Sequence, residues 1–195
     1  DSMTCHLRIP SVGTTEQLLS IAVRMEGSEI VLNNVALEPE VQELALFLNR
    51  MGARIEGIGT SALRIKGVKR LHGTEYEIIP DRIETGTYLL AALVSQGDVE
   101  LVGYHPTHNV SLVRKLREMG ADVRESENRI RARYLRRLNG TDFHAEVYPG
   151  LPTDLQPQFT VLAAVSEGVS VITDTVFSDR FLHVDELKRL GANCS

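Results

Sequence analysis

Tryptophan is absent from this 195-residue sequence, and aromatic residues together make up only 5% of it. This scarcity excludes a recognition surface built mainly from aromatic side chains. Apolar residues nevertheless reach 43%, so the core has to consist of leucine, isoleucine, valine and alanine. Such a core is typical of layered helices and strands.

Cysteine is scarce, and long apolar runs are absent. Cys5 and Cys194 stand near opposite ends without CxxC spacing, which excludes a disulfide scaffold and indicates a reducing compartment. No apolar run approaches the roughly 18 residues that a membrane-spanning helix needs, and the first residues lack the pattern of a signal peptide. We therefore expect a cytoplasmic protein without a membrane partner.

Positive charge is not in excess either, since the formal net charge is −5 at pH 7. Nucleic acid requires a basic face and is therefore not expected as a partner. The densest basic run contains Arg129, Arg131 and Arg133, which alternate and share one face of a predicted strand. We interpret this face as a solvated strand surface; the alternative is a patch that binds anions or nucleic acid.

The sequence contains three copies of one unit. Prolines recur 70 and 69 residues apart, at Pro10, Pro80 and Pro149. Glycines followed by alanine recur 68 and 71 residues apart, at Gly52, Gly120 and Gly191. Independent landmarks with one period indicate a repeated architecture.

Each copy is predicted to have the order β-α-β-α-β-β, with the first strand ending at the proline. Its first helix is apolar nearly all round and has to be buried from every direction, whereas its second helix is amphipathic. Three such helices around an axis, with sheets outside them, give an inside-out arrangement, unlike a barrel with strands at its centre. The third copy stops at Ser195 before its closing strands. We therefore expect an incomplete α/β arrangement of this kind in a fragment of a longer protein; the alternative is that these residues are the whole protein.

The loops before the first helices differ between copies, and divergent loops on a repeated scaffold are where function is found. Ser11, Val12 and Gly13 lie at a predicted helix start, where backbone N–H groups and the helix dipole suit a diphosphate. The alternative is an ordinary capping box headed by Ser11 or Thr14.

The second loop has three charges at the start of a helix. Asp81 and Glu84 suit a capping box, and Arg82 between them can pair with either, with a phosphate or with another domain. Two histidines, His105 and His108, could share a metal, but a third ligand is not evident. We expect neither a metal nor a cofactor.

The third loop places Asp154 on a turn between prolines, where a carboxylate can accept a proton from a sugar hydroxyl. The alternative is that Asp154 is an N-cap residue. Val176, Phe177 and Arg180 follow the end of a predicted strand, a place where ligands are often bound.

The segments PSVGTTE, EPEV, PDRIETGT, PTDLQPQF and VFSDRF, in this order and spacing, resemble those of the UDP-N-acetylglucosamine enolpyruvyl transferases. The resemblance covers practically the entire chain. It implies two domains, each an inside-out α/β barrel of three β-α-β-α-β-β units, with substrates bound between them. It also implies transfer of enolpyruvate from phosphoenolpyruvate to the 3-hydroxyl of UDP-N-acetylglucosamine, with release of phosphate, at the first committed step of peptidoglycan synthesis.

The resemblance assigns roles to matching positions. Asp154 corresponds to the aspartate that contacts the sugar hydroxyl as the general base. Residues 11–13 correspond to the loop that binds the UDP part. Val176 corresponds to a residue whose backbone meets the nucleotide-sugar, and Arg180 lies in the same segment.

The resemblance also implies what is missing. Residues 1–75 resemble the last repeat of one domain, and residues 76–195 resemble two repeats of the other, the second of them truncated. The family's Lys-Asn pair, reactive-cysteine loop and several phosphate-binding arginines lie outside this span, and Cys5 does not match the reactive cysteine. We expect the chain alone to be inactive and to need the remainder of the enzyme. The alternatives are a non-catalytic truncated homologue that binds a nucleotide-sugar, and a 3-phosphoshikimate enolpyruvyl transferase.

Overall fold

The computed structural model describes residues 2–195, and the chain divides into two compact units, residues 1–79 and 80–195. The division lies four residues beyond the predicted boundary after residue 75. The assignment of these units to two domains of one enzyme stays a prediction. Among the described residues, no helix has the length and apolar character needed to cross a lipid bilayer.

The first unit has the complete order β-α-β-α-β-β. Its elements are β1 (Ser2–His6), α1 (Val12–Ala22), β2 (Glu29–Asn33), α2 (Pro39–Arg50), β3 (Arg54–Glu56) and β4 (Ala62–Lys66). The four strands form one sheet in the order β1-β2-β4-β3. β1 pairs with β2 in parallel, whereas β4 pairs antiparallel with both β2 and β3. The helices cover a core that includes Leu19, Leu32 and Ile65, all at most 1% exposed.

The second unit contains parts of two repeats. The first part consists of α3 (Arg82–Val94), β5 (Asp98–Val102), α4 (Val110–Glu118), β6 (Asp122–Ser126) and β7 (Arg129–Arg133). The second part consists of β8 (Phe143–Ala145), α5 (Gln156–Val165), β9 (Ile172–Asp174) and α6 (Leu182–Arg189). Short 3-10 turns occupy Pro106–His108 and Thr153–Leu155. The strands form an antiparallel sheet, β5-β7-β6, and a parallel pair, β8-β9.

The predicted strands before the prolines need correction. β1 and β8 end at His6 and Ala145, four residues before Pro10 and Pro149. Among the described residues, residues 76–80 contain no strand at all. Tyr76 instead packs its ring edge-on against Phe47 of α2, with centroids 5.2 Å apart. The start of residues 76–80 is therefore held by packing of a side chain rather than by backbone hydrogen bonds to a neighbouring strand.

The repeat is visible in how the second helices end. Helices α2, α4 and α6 are each followed by one residue in the helical region and then by a glycine with positive φ. The glycines are Gly52, Gly120 and Gly191, with φ of 99°, 91° and 95°. Since glycine takes this conformation without steric cost, it ends the helix at equivalent places.

The α/β class is confirmed, whereas a closed barrel is not seen. Helices α3 and α5 pack together, and Gln158 Nε2 donates to Thr87 Oγ1 over 3.1 Å between them. The first helices are not buried from every direction, however. Ile21 of α1, Tyr88 of α3 and Val165 of α5 are 59%, 54% and 49% exposed. Within its own unit, each of these first helices is covered by other elements on only part of its surface. The sheets of the described residues are open.

The arginine face of β7 is neutralised by neighbouring strands. Arg131 pairs with Asp98 of β5 at 2.5 Å, and Arg133 pairs with Asp122 of β6 at 3.2 Å. Arg129 pairs likewise with a glutamate of β5. Cross-strand pairs of opposite charge stabilise a solvated sheet face modestly. The interpretation as a solvated strand surface is therefore confirmed.

Candidate functional site

Asp154 lies in the 3-10 turn that leads into α5, and its side chain is 52% exposed. The N-cap residue of α5 is Leu155, and no side chain caps that helix. The interpretation of Asp154 as an N-cap is therefore wrong. Its Oδ1 accepts a 2.7 Å hydrogen bond from Nη1 of Arg180, which lies 26 residues later in the chain. The turn presents the carboxylate outward, where a cation rather than the backbone binds it.

A second aspartate organises the loop after β9. Asp174 ends that strand and is only 7% exposed. Its Oδ1 accepts hydrogen bonds from the backbone N–H groups of Val176 (2.9 Å) and Phe177 (2.8 Å). Its Oδ2 accepts from the hydroxyl of Thr153 over 2.5 Å. One buried carboxylate thus joins the end of β9 to the residue beside Asp154.

Arg180 makes several contacts besides the ion pair. Nη1 also donates to Thr153 Oγ1 over 3.1 Å, and the guanidinium lies 5.0 Å from the ring centre of Phe177. Its backbone carbonyl accepts from Nε2 of Gln156 over 3.3 Å. Gln156 is fully buried, and within residues 2–195 its Oε1 has no hydrogen-bond partner. The arginine is therefore fixed at both its guanidinium and its backbone.

An open depression of about 400 Å3 lies over this loop and is lined by residues 176–180. It offers a guanidinium, the face of Phe177 and backbone polar groups, with the Asp154 carboxylate beside Arg180. A carboxylate accepts hydrogen bonds or a proton from hydroxyl groups, and an arginine suits oxyanions. The structure thus brings together Asp154, Val176 and Arg180, three of the residues singled out in the sequence.

Ser11, Val12 and Gly13 belong to the first unit and lie at the start of α1. Ser11 is the N-cap residue, and its hydroxyl accepts from the backbone N–H of Thr14 over 3.3 Å. Val12 is the first helical residue, and a Cβ at Gly13 would meet nothing within 4 Å. The N-cap role of Ser11 is confirmed, but the capping box is not, since the Ser11 N–H donates to the Ile9 carbonyl over 2.8 Å. There is room for a ligand beside Gly13.

The electrostatic environment of this helix start is acidic. The pKa of Glu16 is raised by partial burial and by the charges of Glu40 and Glu38. Glu38 itself is only 8% exposed. A diphosphate bound at the start of α1 would have to overcome this negative field, despite the favourable helix dipole.

The charges at the start of α3 have structural partners. Asp81 is the N-cap residue, and its Oδ1 accepts from the backbone N–H groups of Ile83 (2.7 Å) and Glu84 (3.1 Å). Arg82 is 8% exposed and lies 5.7 Å from the ring centre of Tyr148. The interpretation as a structural helix start is therefore confirmed for Asp81.

His105 and His108 were the candidates for a shared metal. The rings of His105 and His108 stack with centroids 4.1 Å apart. Residues 2–195 contain no group of three or more His, Cys, Asp or Glu side chains placed to hold a metal ion.

Asp174 was not among the residues predicted from the sequence. A usable signal existed, because an aspartate directly after a strand often accepts hydrogen bonds from backbone N–H groups two or three residues later. Its bond with Thr153 could not be read locally, since 21 residues separate the two.

Comparisons with known proteins give consistent results. The model of the EPSP synthase (3-phosphoshikimate 1-carboxyvinyltransferase) family matches residues 1–195. A UDP-N-acetylglucosamine 1-carboxyvinyltransferase of Thermotoga petrophila is 47% identical over 193 residues, which are 99% of this chain and 46% of that protein. One from Granulibacter bethesdensis is 48% identical over 186 residues, or 95% and 44%. The chain thus spans about half the length of these relatives.

Two solved structures have the same fold. The enolpyruvyl transferase NikO from Streptomyces tendae has a TM-score of 0.82 at 24% identity, covering 96% of this chain and 47% of that one. An EPSP synthase from Acinetobacter baumannii has a TM-score of 0.69 at 22% identity, covering 98% and 45%.

Proposed function

The chain belongs to the EPSP synthase family, and from this premise we propose that it forms part of a UDP-N-acetylglucosamine 1-carboxyvinyltransferase. The complete enzyme would transfer enolpyruvate from phosphoenolpyruvate to the sugar 3-hydroxyl and release phosphate. The product would enter peptidoglycan synthesis, and the enzyme would work in the cytoplasm.

One observation carries this proposal: 47% identity over 99% of the chain to an enzyme named for that reaction. The solved EPSP synthase from Acinetobacter baumannii is only 22% identical, although it shares the fold. The difference favours the nucleotide-sugar over 3-phosphoshikimate as the acceptor.

The site in the second unit supports a role for Asp154 as the general base. Its carboxylate is exposed and hydrogen-bonded only at Oδ1 among the contacts described above, so a sugar hydroxyl can approach it. General-base catalysis needs an acceptor within hydrogen-bonding distance of the proton to be removed. Arg180 would keep the carboxylate oriented and would offer positive charge to the oxyanions of the reactants. Val176 would contact the nucleotide-sugar through its backbone.

Residues 11–13 are proposed to bind the UDP part, since Gly13 is open to a ligand at a helix start. The acidic field of Glu16, Glu38 and Glu40 opposes this role, so the role needs a direct test.

The domain assignment is part of the proposal. Residues 1–75 would be the last repeat of one inside-out barrel, and residues 76–195 would be two repeats of the other, the second truncated. The remainder of the enzyme would complete both barrels and supply the other cationic groups, so the isolated 195-residue chain would be inactive.

The test uses the full-length protein that contains this sequence. Phosphate release from phosphoenolpyruvate is measured with UDP-N-acetylglucosamine and, separately, with 3-phosphoshikimate. Release with the nucleotide-sugar alone supports the proposal, and release with 3-phosphoshikimate alone overturns the choice of acceptor. Calorimetric binding of the nucleotide-sugar without turnover would identify a non-catalytic homologue instead.

Binding of the UDP part is tested separately by exchanging Gly13 for Val. A side chain there would fill the open space that a diphosphate needs, so calorimetry should report weaker binding of UDP. Unchanged affinity would remove residues 11–13 from the binding site. Thermal unfolding of the same variant checks that α1 still forms.

A further inference from the structure

We infer that Asp174 and Thr153 are positioning residues, which hold the ion pair of Asp154 and Arg180 in its working geometry. This inference rests on the proposed function, because it assigns a role within the same site. Neither residue contacts a reacting atom in this assignment. Both act through the two side chains beside the depression.

The position of Asp174 makes it more than a turn residue. It is 7% exposed, and Thr153 is 8% exposed. Burying a carboxylate is costly unless hydrogen bonds satisfy it. Two backbone N–H groups and one hydroxyl do so here, at 2.8, 2.9 and 2.5 Å. An aspartate that only stabilised the turn would need no more than the two bonds from backbone N–H groups. The third bond comes from Thr153, which lies in a different segment.

The hydrogen bonds have a fixed direction. An ionised carboxylate only accepts, so the Thr153 hydroxyl has to donate its single hydrogen to Asp174. The lone pairs of Oγ1 are then turned toward other donors, and Nη1 of Arg180 donates to them over 3.1 Å. The same nitrogen donates to Asp154 over 2.7 Å. Asp174 thereby orients Thr153, Thr153 orients Arg180, and Arg180 holds the proposed base.

The loop is held at two further points, which keep Arg180 within reach. Asp174 binds the backbone N–H groups at its start, and Gln156 binds the carbonyl of Arg180 at its end. Small errors in the position of catalytic groups are costly, since a displacement of about 1 Å can reduce the rate about 100-fold. A contact that fixes the base is therefore expected to affect kcat.

The decisive variant is Thr153→Val in the full-length enzyme, since valine keeps the size but removes the hydroxyl. We expect kcat for phosphate release to fall about 10- to 100-fold, with KM for UDP-N-acetylglucosamine unchanged. Thr153→Ser keeps the hydroxyl and should restore most of the rate. A fall in thermal stability alone, with kcat unchanged, would overturn the inference.

A double-substitution cycle separates positioning from general stability. Thr153→Val is combined with Asp154→Asn, which removes the proposed base. If Thr153 acts through Asp154, the second substitution should cause little further loss of kcat. If the fold-reduction of kcat in the double variant equals the product of the two single reductions, Thr153 acts independently of Asp154, and the inference is overturned. Asp174→Asn is expected to behave like Thr153→Val, and if it fails to fold, the threonine variants decide.

Asp142→Asn is the matched control. Asp142 Oδ1 accepts from the backbone N–H of Val171 over 2.8 Å, close to the opposite end of β9. It makes the same kind of bond to the same strand region but has no link to Arg180 among the contacts described for residues 2–195. The kcat of the Asp142→Asn variant should equal that of the wild type. If Asp142→Asn and Asp174→Asn lowered kcat equally, both aspartates would act only by stabilising the region around β9, and the inference would be overturned.

Failure of the proposed function has a different signature. In that case the wild-type protein releases no phosphate with UDP-N-acetylglucosamine, whatever the variants do. A wild-type enzyme that turns over while Thr153→Val is fully active leaves the proposed function intact and removes only the positioning role.

Discussion

Asp154 and Arg180 form an ion pair of 2.7 Å although 26 residues separate them in the sequence. Their side chains are 52% and 37% exposed. An ion pair with this exposure contributes little to folding. The pair is therefore better explained by the carboxylate and guanidinium that it offers to a ligand in the depression than by a contribution to stability. Asp154 and Arg180 are the first targets for substitution.

Asp154→Asn in the full-length enzyme is expected to lower kcat about 100- to 10,000-fold, the range of general acid–base catalysis. Asparagine keeps the size and one acceptor oxygen, so substrate binding should survive. KM for the nucleotide-sugar should therefore change much less than kcat. Steady-state phosphate release measures both constants. Weakened binding at an unchanged kcat would remove the role of Asp154 as base.

Arg180→Lys is expected to reduce kcat/KM about 10- to 100-fold, the value of a hydrogen bond to a charged group. Lysine keeps the charge but loses the planar fork that reaches Thr153 and Asp154, and it loses the stacking on Phe177. Arg189→Lys is the control, since Arg189 pairs only with Glu186 on the exposed face of α6 among the contacts described. Equal activity of both variants would mean that charge alone suffices at position 180.

The repeat was readable from the sequence because its signals are local. The second helices end just before Gly52, Gly120 and Gly191, and each of these glycines has the positive φ that ends a helix. The family resemblance read from the loop motifs is confirmed by the comparisons. The strand predicted over residues 76–80 was wrong, since strand pairing depends on distant partners that a short alternating pattern does not reveal.

The candidate site was only partly readable, because parallel pairing of β8 and β9 assembles it. Asp154, Val176 and Arg180 were singled out from their loops and given roles by the resemblance, but no local pattern shows that the carboxylate and the guanidinium pair. The acidic surroundings of α1 were missed for the same reason, since Glu16 and Glu38 are separated by a strand and a loop. The roles of these residues stay predictions.

Gly67→Ala is expected to destabilise the first unit by about 1–3 kcal/mol or more. A Cβ at Gly67 would lie 1.8 Å from the carbonyl oxygen of Met25, so backbone would have to move. The N–H of Gly67 also donates to the Ser28 carbonyl over 2.9 Å, which fixes the approach. Gly73→Ala is the control, because a Cβ there meets nothing within 4 Å. Urea unfolding of the two variants should differ, and equal midpoints would contradict the close approach.

The pH dependence of the second unit follows from the arginine face of β7. The hydrogen bond from Arg131 lowers the pKa of Asp98, and the charges of Arg131 and Arg133 act in the same direction. A lowered folded-state pKa gives stability that is fully present above the ordinary value of about 3.9. That stability is lost as the pH falls through the folded pKa. Asp98→Asn should therefore be less stable than the wild type above about pH 5 and similar to it at the lowest pH.

Arg131→Met tests the cause directly, because it removes the first contributor while Asp98 remains. The Asp98 carboxyl should then titrate at higher pH than in the wild type, as followed by carboxyl-carbon NMR shifts. Arg137→Met is the control, since Arg137 is exposed and lies beyond the end of β7, outside the register of β5 with β7. If both variants moved the Asp98 titration equally, general charge rather than the cross-strand bond would set the pKa of that carboxyl.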